Sequence, residues 1–376
     1  MTDEHPDRLR DAIVVGAGVA GLATAGPLTA AGADVLVLEA RDRIGGRLLG
    51  TSVPGGVVDL GATWYWEFED RISTLVRRYG VATFDQHLAG DTVVEDATMV
   101  QRLPGNRLDV PARRYTDGAA SVASALAGEL PTDCVRMQDP VTSIDFPDPH
   151  RAVVSSRSGT HHARHVIVAL PPSLAVASID FTPALPESLA RLASLTPVWM
   201  GDVVKVVATY PTPFWRDQGL AGAAFSHRGP LQEIHDMSGP EGTPAALFGF
   251  ARATNHDGDI TTKIQRQLER LFGPAAADPT DLLVQDWSRD RWTNPPPNGE
   301  PANRSLMGHP AYQRHFQYGR LHWAATETAP QFAGHVEGAL VAAERVVSTV
   351  QTAVAEETET VPAPSVEGKK SPATKG

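Results

Sequence analysis

The chain has a single cysteine, Cys134, among 376 residues. One thiol excludes an internal disulfide and a cysteine-based metal cluster, and it fits a reducing cytoplasm, the expected location. Lysine is nearly missing from the body of the chain. Lys205 and Lys263 are the two that precede the C-terminal tail, and arginine fills the other strongly basic positions there. No apolar run reaches the roughly 18 residues of a membrane span, and Met1 to Arg10 lacks the apolar stretch of a signal peptide. The formal charge of −11 argues against nucleic acid or an anionic membrane as the main partner. Zinc-ligand spacing, a P-loop and a nucleophile elbow are all missing, so no metal site is expected. Nor is there a second glycine fingerprint of the kind an NAD(P)H site would need.

Hydrophobic residues make up 42% and charged residues 20%, the balance of a globular chain with a substantial core. Ala12-Ile13-Val14-Val15 is a β-rich run that leads straight into Gly16-Ala17-Gly18-Val19-Ala20-Gly21. A helix of small residues follows, and then Val35-Leu36-Val37-Leu38 ends on Glu39. This spacing predicts a Rossmann-like βαβ unit that binds a dinucleotide. Gly16 allows the tight turn, Gly18 lets the backbone approach a pyrophosphate, and Gly21 lets helix and strand pack closely. The diphosphate would sit on free N–H groups at the positive helix end, with Glu39 bonding the ribose hydroxyls.

Further along, residues 57–80 read as a strand, a loop with Trp64 and Trp66, and a helix from about Arg71 to Tyr79. Residues 90–115 read as short strands, and an alanine-rich helix follows Asp117-Gly118. The apolar strand from His165 to Leu170 is stopped by Pro171 and Pro172. His161, His162 and His165 fall in a turn entering that strand and are expected to be solvated. Asp202 to Tyr210 is the longest β-branched run and is expected to cross a second domain. Within it, Lys205 must be paired, face a cavity, or face water on alternate positions. An amphipathic helix spans 261–273, a last strand covers Arg320 to Ala325, and a final helix runs from near His335 to about Val350.

Several segments carry a resemblance. Glu39-Ala40-Arg41 with Gly45-Gly46-Arg47, and Val58-Asp59-Leu60-Gly61-Ala62-Thr63-Trp64, resemble the ExR…GGR and DLGAxW segments of the flavin-containing amine oxidase family. Gly201 through Lys205 to Pro213-Phe214-Trp215 is similar to its GxxxK…PFW stretch. Ala325-Thr326-Glu327-Thr328 and Gly334-His335-Val336-Glu337-Gly338-Ala339 are similar to its AGTET…GxxEGA signature. The resemblance implies an α/β fold, with an FAD-binding Rossmann-like domain interleaved with a smaller α+β substrate domain on a mixed or antiparallel sheet. The expected FAD-binding segments are 11–80, 112–196 and 288–352, and the expected substrate segments are 81–111 and 197–287. Residues 1–10 are expected to be flexible and 353–376 disordered. A helical insertion usual in the family is shortened here, which implies a more open site; a homodimer contact is one way to cover it.

The family likeness further implies an FAD held non-covalently, with no cysteine where some relatives attach it. It assigns the cofactor to Gly16, Gly18, Ala20, Gly21, Glu39, Ala40, Arg41, Gly45, Gly46 and Arg47, then to Gly61, Ala62, Thr63, Val135, Trp287, Thr326, Glu327, Val336 and Ala339. Lys205 is implied to hold a water at flavin N5 and to assist reaction with O2. Monoamine oxidases place two aromatic side chains before the flavin, but His335 stands at one of those positions, so the cage is altered and His335 is a candidate catalytic group. Trp64, Trp66 and Trp292 are the expected substrate-pocket residues, with His87 a further candidate. The implied reaction takes a hydride from an amine C–H to the flavin, with O2 as acceptor and H2O2 as product. An amine that binds neutral needs no general base, and activity then rises with pH near the substrate's own pKa. Two other readings stay open: an oxidase or desaturase of a non-amine metabolite, and a flavin-binding subunit completed by a partner.

Overall fold

The protein was described from a computed structural model covering residues 8–253, 260–296, 303–314 and 316–360. The early apolar run forms β1 (Leu9–Val15), followed by helix α1 (Val19–Ala30) and β2 (Val35–Leu38). A continuous apolar run suits a strand covered on both faces, and Ala12, Ile13 and Val14 are fully buried. Helix α2 (Asp70–Tyr79) comes next, and then β3 (Gly159–Val168) pairs in parallel with β1. β1 lies between β2 and β3, and the late strand Leu321–Trp323 also pairs in parallel with β3. The first, eight-stranded sheet is therefore assembled from both early and late parts of the chain.

Three expectations about this region need correction. Leu9 and Arg10 belong to β1, so the N-terminal segment is ordered earlier than 1–10 implied; residues 1–7 lie outside the described residues. His165 is not solvated but only 1% exposed, with its Nδ1 3.1 Å from Nε2 of His322. The His322 ring and the Arg320 guanidinium lie against it, brought there by the late strand that pairs beside β3. His161 and His162 lie on the same strand, half-buried, rather than in a turn.

The second sheet has seven strands. At one end of it β4 (Val203–Tyr210) lies between β5 (Ala245–Arg252) and the edge strand β6 (Asp281–Asp286), antiparallel to both. The strand Leu220–Ser226 pairs in parallel with Asp91–Glu95, which makes the sheet mixed. Side chains alternate across a strand. Val204, Val206 and Ala208 therefore share a core with the helix Ile260–Phe272, while Val207 packs on the opposite face with Val58 and Phe248. Lys205 points to that opposite face, toward the loop that carries Gly61 and Thr63. A third, three-stranded sheet joins Trp64–Tyr65, Thr83–Asp85 and Arg113–Tyr115.

Helix α3 (Val336–Thr360) closes the fold against α1. It continues beyond the expected end near Val350, into the segment expected to be disordered from 353. Residues 351–360 contain no glycine or proline to stop it. Residues 361–376 lie outside the described residues. No helix is long and apolar enough to cross a membrane among the described residues.

Candidate functional site

The glycine turn between β1 and α1 is built around two close approaches. Gly16 has φ +102°, in the left-handed region, and a Cβ on Gly21 would lie 1.9 Å from the Gly16 carbonyl oxygen. Only glycine fits at position 21 without moving the backbone. A Cβ on Gly18, by contrast, would meet nothing within 4 Å, because that residue borders open space. Gly18 is also the N-cap of α1, and no side chain caps that end. The helix therefore presents uncapped N–H groups and its partial positive charge to a cavity.

The cavity has a volume of about 730 Å³. Glu39, Ala40 and Arg41 line one end, and Gly16, Gly18, Ala20, Gly45, Gly46 and Arg47 line the stretch beside α1. Gly61, Ala62, Thr63, Thr326, Val336 and Ala339 also form its wall, as do Trp64, Trp66 and His335. Glu39 is 3% exposed, and its carboxylate accepts the Ala17 and Arg41 N–H groups, both at 2.8 Å. The acid thus fixes the glycine turn as well as lining the cavity. Arg41 donates to Asp290 at 2.7 Å and to Thr293 at 2.8 Å, pinning a distant segment against this end.

Five residues expected to touch the cofactor or reacting atoms lie off the wall. Gly21 is beneath the turn, and Val135 is in the edge strand beside β2. Trp287 is fully buried and donates from Nε1 to the Leu60 carbonyl at 2.9 Å, supporting the loop that carries Gly61 to Thr63. Glu327, also fully buried, accepts both Arg47 guanidinium nitrogens, at 2.5 and 3.1 Å. Lys205 stands behind Gly61 and Thr63. Trp292 borders the same cavity as Trp64 and Trp66, and its backbone N–H bonds Asp290 at 2.9 Å, the carboxylate that also takes Arg41. His87 does not line the cavity.

The Arg47–Glu327 pair holds its anion completely out of water. Arg47→Met leaves that carboxylate without its bidentate cation, and an uncompensated buried charge costs about 3–5 kcal/mol. Denaturant unfolding of the variant should show a loss of this size. An unchanged midpoint would mean that other groups compensate Glu327.

The Lys205 ammonium is fully buried. It donates to the Gly61 carbonyl at 2.8 Å and closely to the Thr63 hydroxyl, and it sits 4.4 Å from the centre of the Phe248 ring. Burial pushes its pKa down to about 7; the Asp59 carboxylate opposes that fall and Arg114 adds to it. Burial likewise pushes Asp59 up to about 6, against the pull of Lys205 and Arg114. A lysine that gives up its charge as pH rises through about 7, one layer behind a cavity wall, is unusual for a structural role.

Sequence reasoning missed several wall residues. Trp199, on the connection before β4, lines the cavity, as does Phe250 of β5. Glu69, at the start of α2, is 2% exposed, and its Oε1 lies 2.7 Å from His335 Nδ1. Trp66 packs 5.1 Å from the His335 ring and 6.3 Å from the Trp64 ring, centre to centre. Among the described residues no group of three His, Cys, Asp or Glu side chains is arranged to hold a metal. Cys134 is buried against the Val35 carbonyl and does not line the cavity.

Comparison with known proteins agrees with this architecture. Putrescine oxidase of Kocuria rosea is 27% identical, over 88% of this chain and 93% of that protein. An L-amino acid dehydrogenase of Synechocystis is 22% identical, over 92% and 95%. The structure of cyclohexylamine oxidase from Brevibacterium oxydans superposes with a TM-score of 0.83, covering 94% of this chain and all of that one at 24% identity. The family model described as flavin containing amine oxidoreductase matches residues 19–112 and 88–351. That match runs from the start of α1 through the buried lysine strand into the last helix, so the chain belongs to the flavin-containing amine oxidoreductases and is an FAD-dependent enzyme.

Proposed function

We propose that the protein oxidises a primary amine to an imine, with O2 as the electron acceptor and H2O2 as product. Lys205 carries this reading: a fully buried ammonium, held by Gly61 and Thr63 behind the cavity wall. Bound FAD would supply the hydride acceptor for the amine's α C–H and pass the electrons on to O2. The open space over Gly18 and the uncapped N-terminus of α1 fit the diphosphate, with Glu39 and Arg41 at the adenosine end. Ala325, Thr326, Val336 and Ala339 would then face the isoalloxazine, and the start of α3 would direct positive potential toward it. In this arrangement the segments of the first sheet form the FAD-binding domain and those of the second sheet the substrate domain.

Trp64 and Trp66 would orient the amine and exclude water from its carbon. Their faces also favour a cationic guest by cation–π attraction. Lys205 would keep positive charge beside the place where O2 is reduced. The test is amine-dependent O2 uptake and H2O2 release by the purified holoenzyme, over a panel of polyamines, aryl amines, cycloalkyl amines and amino acids. At least one class should support turnover with equal O2 consumed and H2O2 formed. Turnover that needs a dye and yields no peroxide would exclude O2 as acceptor.

A further inference from the structure

His335 occupies the last position before α3, where it lines the cavity with its side chain 32% exposed. Its Nδ1 is 2.7 Å from Oε1 of Glu69, while the other Glu69 oxygen accepts the Trp66 N–H at 2.9 Å. Glu69 is itself only 2% exposed. An ionised carboxylate can only accept, so this contact places the imidazole proton on Nδ1 and leaves the Nε2 lone pair free. Among the described residues nothing bonds Nε2. The ring lies among Trp66, Trp199 and Phe332, with centroids at 5.1, 6.5 and 6.3 Å.

Other charges on the packed elements are already engaged or exposed. Glu337 accepts the Ile72 N–H at 2.9 Å and pairs with Arg71, and Glu327 is paired with Arg47. Arg304 lies over the Trp199 ring at 5.1 Å and is exposed, as are Glu67 and Asp70 on either side of Glu69. Glu69 is the one anion with a direct contact to the imidazole among the described residues.

An ammonium has no lone pair with which to assist loss of a hydride from its α carbon. A cavity that attracts a cation through aromatic faces therefore needs a means of removing a proton. Resting on the amine-oxidation reading, we propose that His335 Nε2 takes this proton and that Glu69 is the positioning residue that makes it able to. One N–H bond of the substrate ammonium, R–CH2–NH3+ or R2CH–NH3+, breaks, its electron pair stays on nitrogen as the amine lone pair, and the proton bonds Nε2. Glu69 stabilises the imidazolium that results, as the acid of a hydrolase triad does for its histidine. The substrate class is thus an amine that arrives protonated at neutral pH.

The test has two readouts on the holoenzyme. The first is anaerobic flavin reduction by benzylamine, putrescine and cyclohexylamine, followed from pH about 6 to about 10. In the native enzyme the rise of kred/Kd with pH falls at the same place whichever amine is used, because a group of the protein sets it. Glu69→Gln and His335→Phe each lower kred/Kd about 100-fold at neutral pH and move the rise to the amine's own ionisation. The second readout needs no turnover: 15N-histidine NMR of the oxidised enzyme, with the His335 signals assigned by their loss in His335→Phe. It shows the Nδ1-protonated tautomer, and Glu69→Gln gives a mixture of tautomers. A native profile that already follows each amine's own pKa, or a native Nε2-protonated ring, overturns the proposal. Reduction by none of the amines overturns the amine reading and the proposal with it, whereas reduction with unchanged pH profiles in both variants overturns the proton-transfer role alone.

Discussion

Lys205→Met slows reaction of the reduced enzyme with O2 by about 100- to 1,000-fold, the scale of losing one fixed charge from a preorganised site. Anaerobic reduction by an amine changes far less, because the ammonium is not on the cavity wall. Reduction of O2 develops negative charge, and a cation already desolvated against Phe248 and held by Gly61 and Thr63 need not reorganise to meet it. The pH dependence has a definite sign. Burial pushes Lys205 down to about 7, so the cation is the form present below that value. The O2 reaction should fall as pH rises through about 7, and the methionine variant should lose this slope. Stopped-flow mixing of reduced enzyme with O2 measures both, and an unchanged rate in the variant would remove Lys205 from the account.

Gly21→Ala abolishes stoichiometric FAD binding. The added Cβ would stand 1.9 Å from the Gly16 oxygen and 3.1 Å from its carbonyl carbon, both backbone atoms that cannot rotate away. The turn must open or α1 must move off β1, so the penalty exceeds the usual overpacking cost of about 1–3 kcal/mol. The comparison variant is in the same helix. A Cβ on Gly26 meets nothing within 4 Å, so Gly26→Ala should stabilise the protein by about 0.5–1 kcal/mol through backbone entropy alone. Flavin content after gel filtration, together with thermal unfolding, checks the pair. Equal flavin content in the two variants would show that the turn tolerates the movement.

Local pattern made much of this architecture readable. The β1–α1–β2 unit follows from an apolar run, three glycines and an acid within a short span. Lys205 stood out because lysine is so rare in this chain, though the sequence alone left its direction open. Its place on a strand flanked by β5 and β6, with its ammonium on the Gly61–Thr63 loop, depends on pairing with both. What escaped the sequence was contact across long separation. Glu69 and His335 are 266 residues apart, and Arg41 and Asp290 are 249 apart. No periodicity or motif joins such positions. The burial of His165 was of the same kind, since its partners His322 and Arg320 are 157 and 155 residues away.

Anaerobic titration of the holoenzyme's flavin band with an amine that supports turnover tests the central claim most directly. The account predicts full bleaching at one equivalent of amine per flavin, appearance of the matching carbonyl compound after imine hydrolysis, and complete return of the band on admitting air. A flavin that stays oxidised under every amine, while a non-amine metabolite bleaches it, would contradict the account.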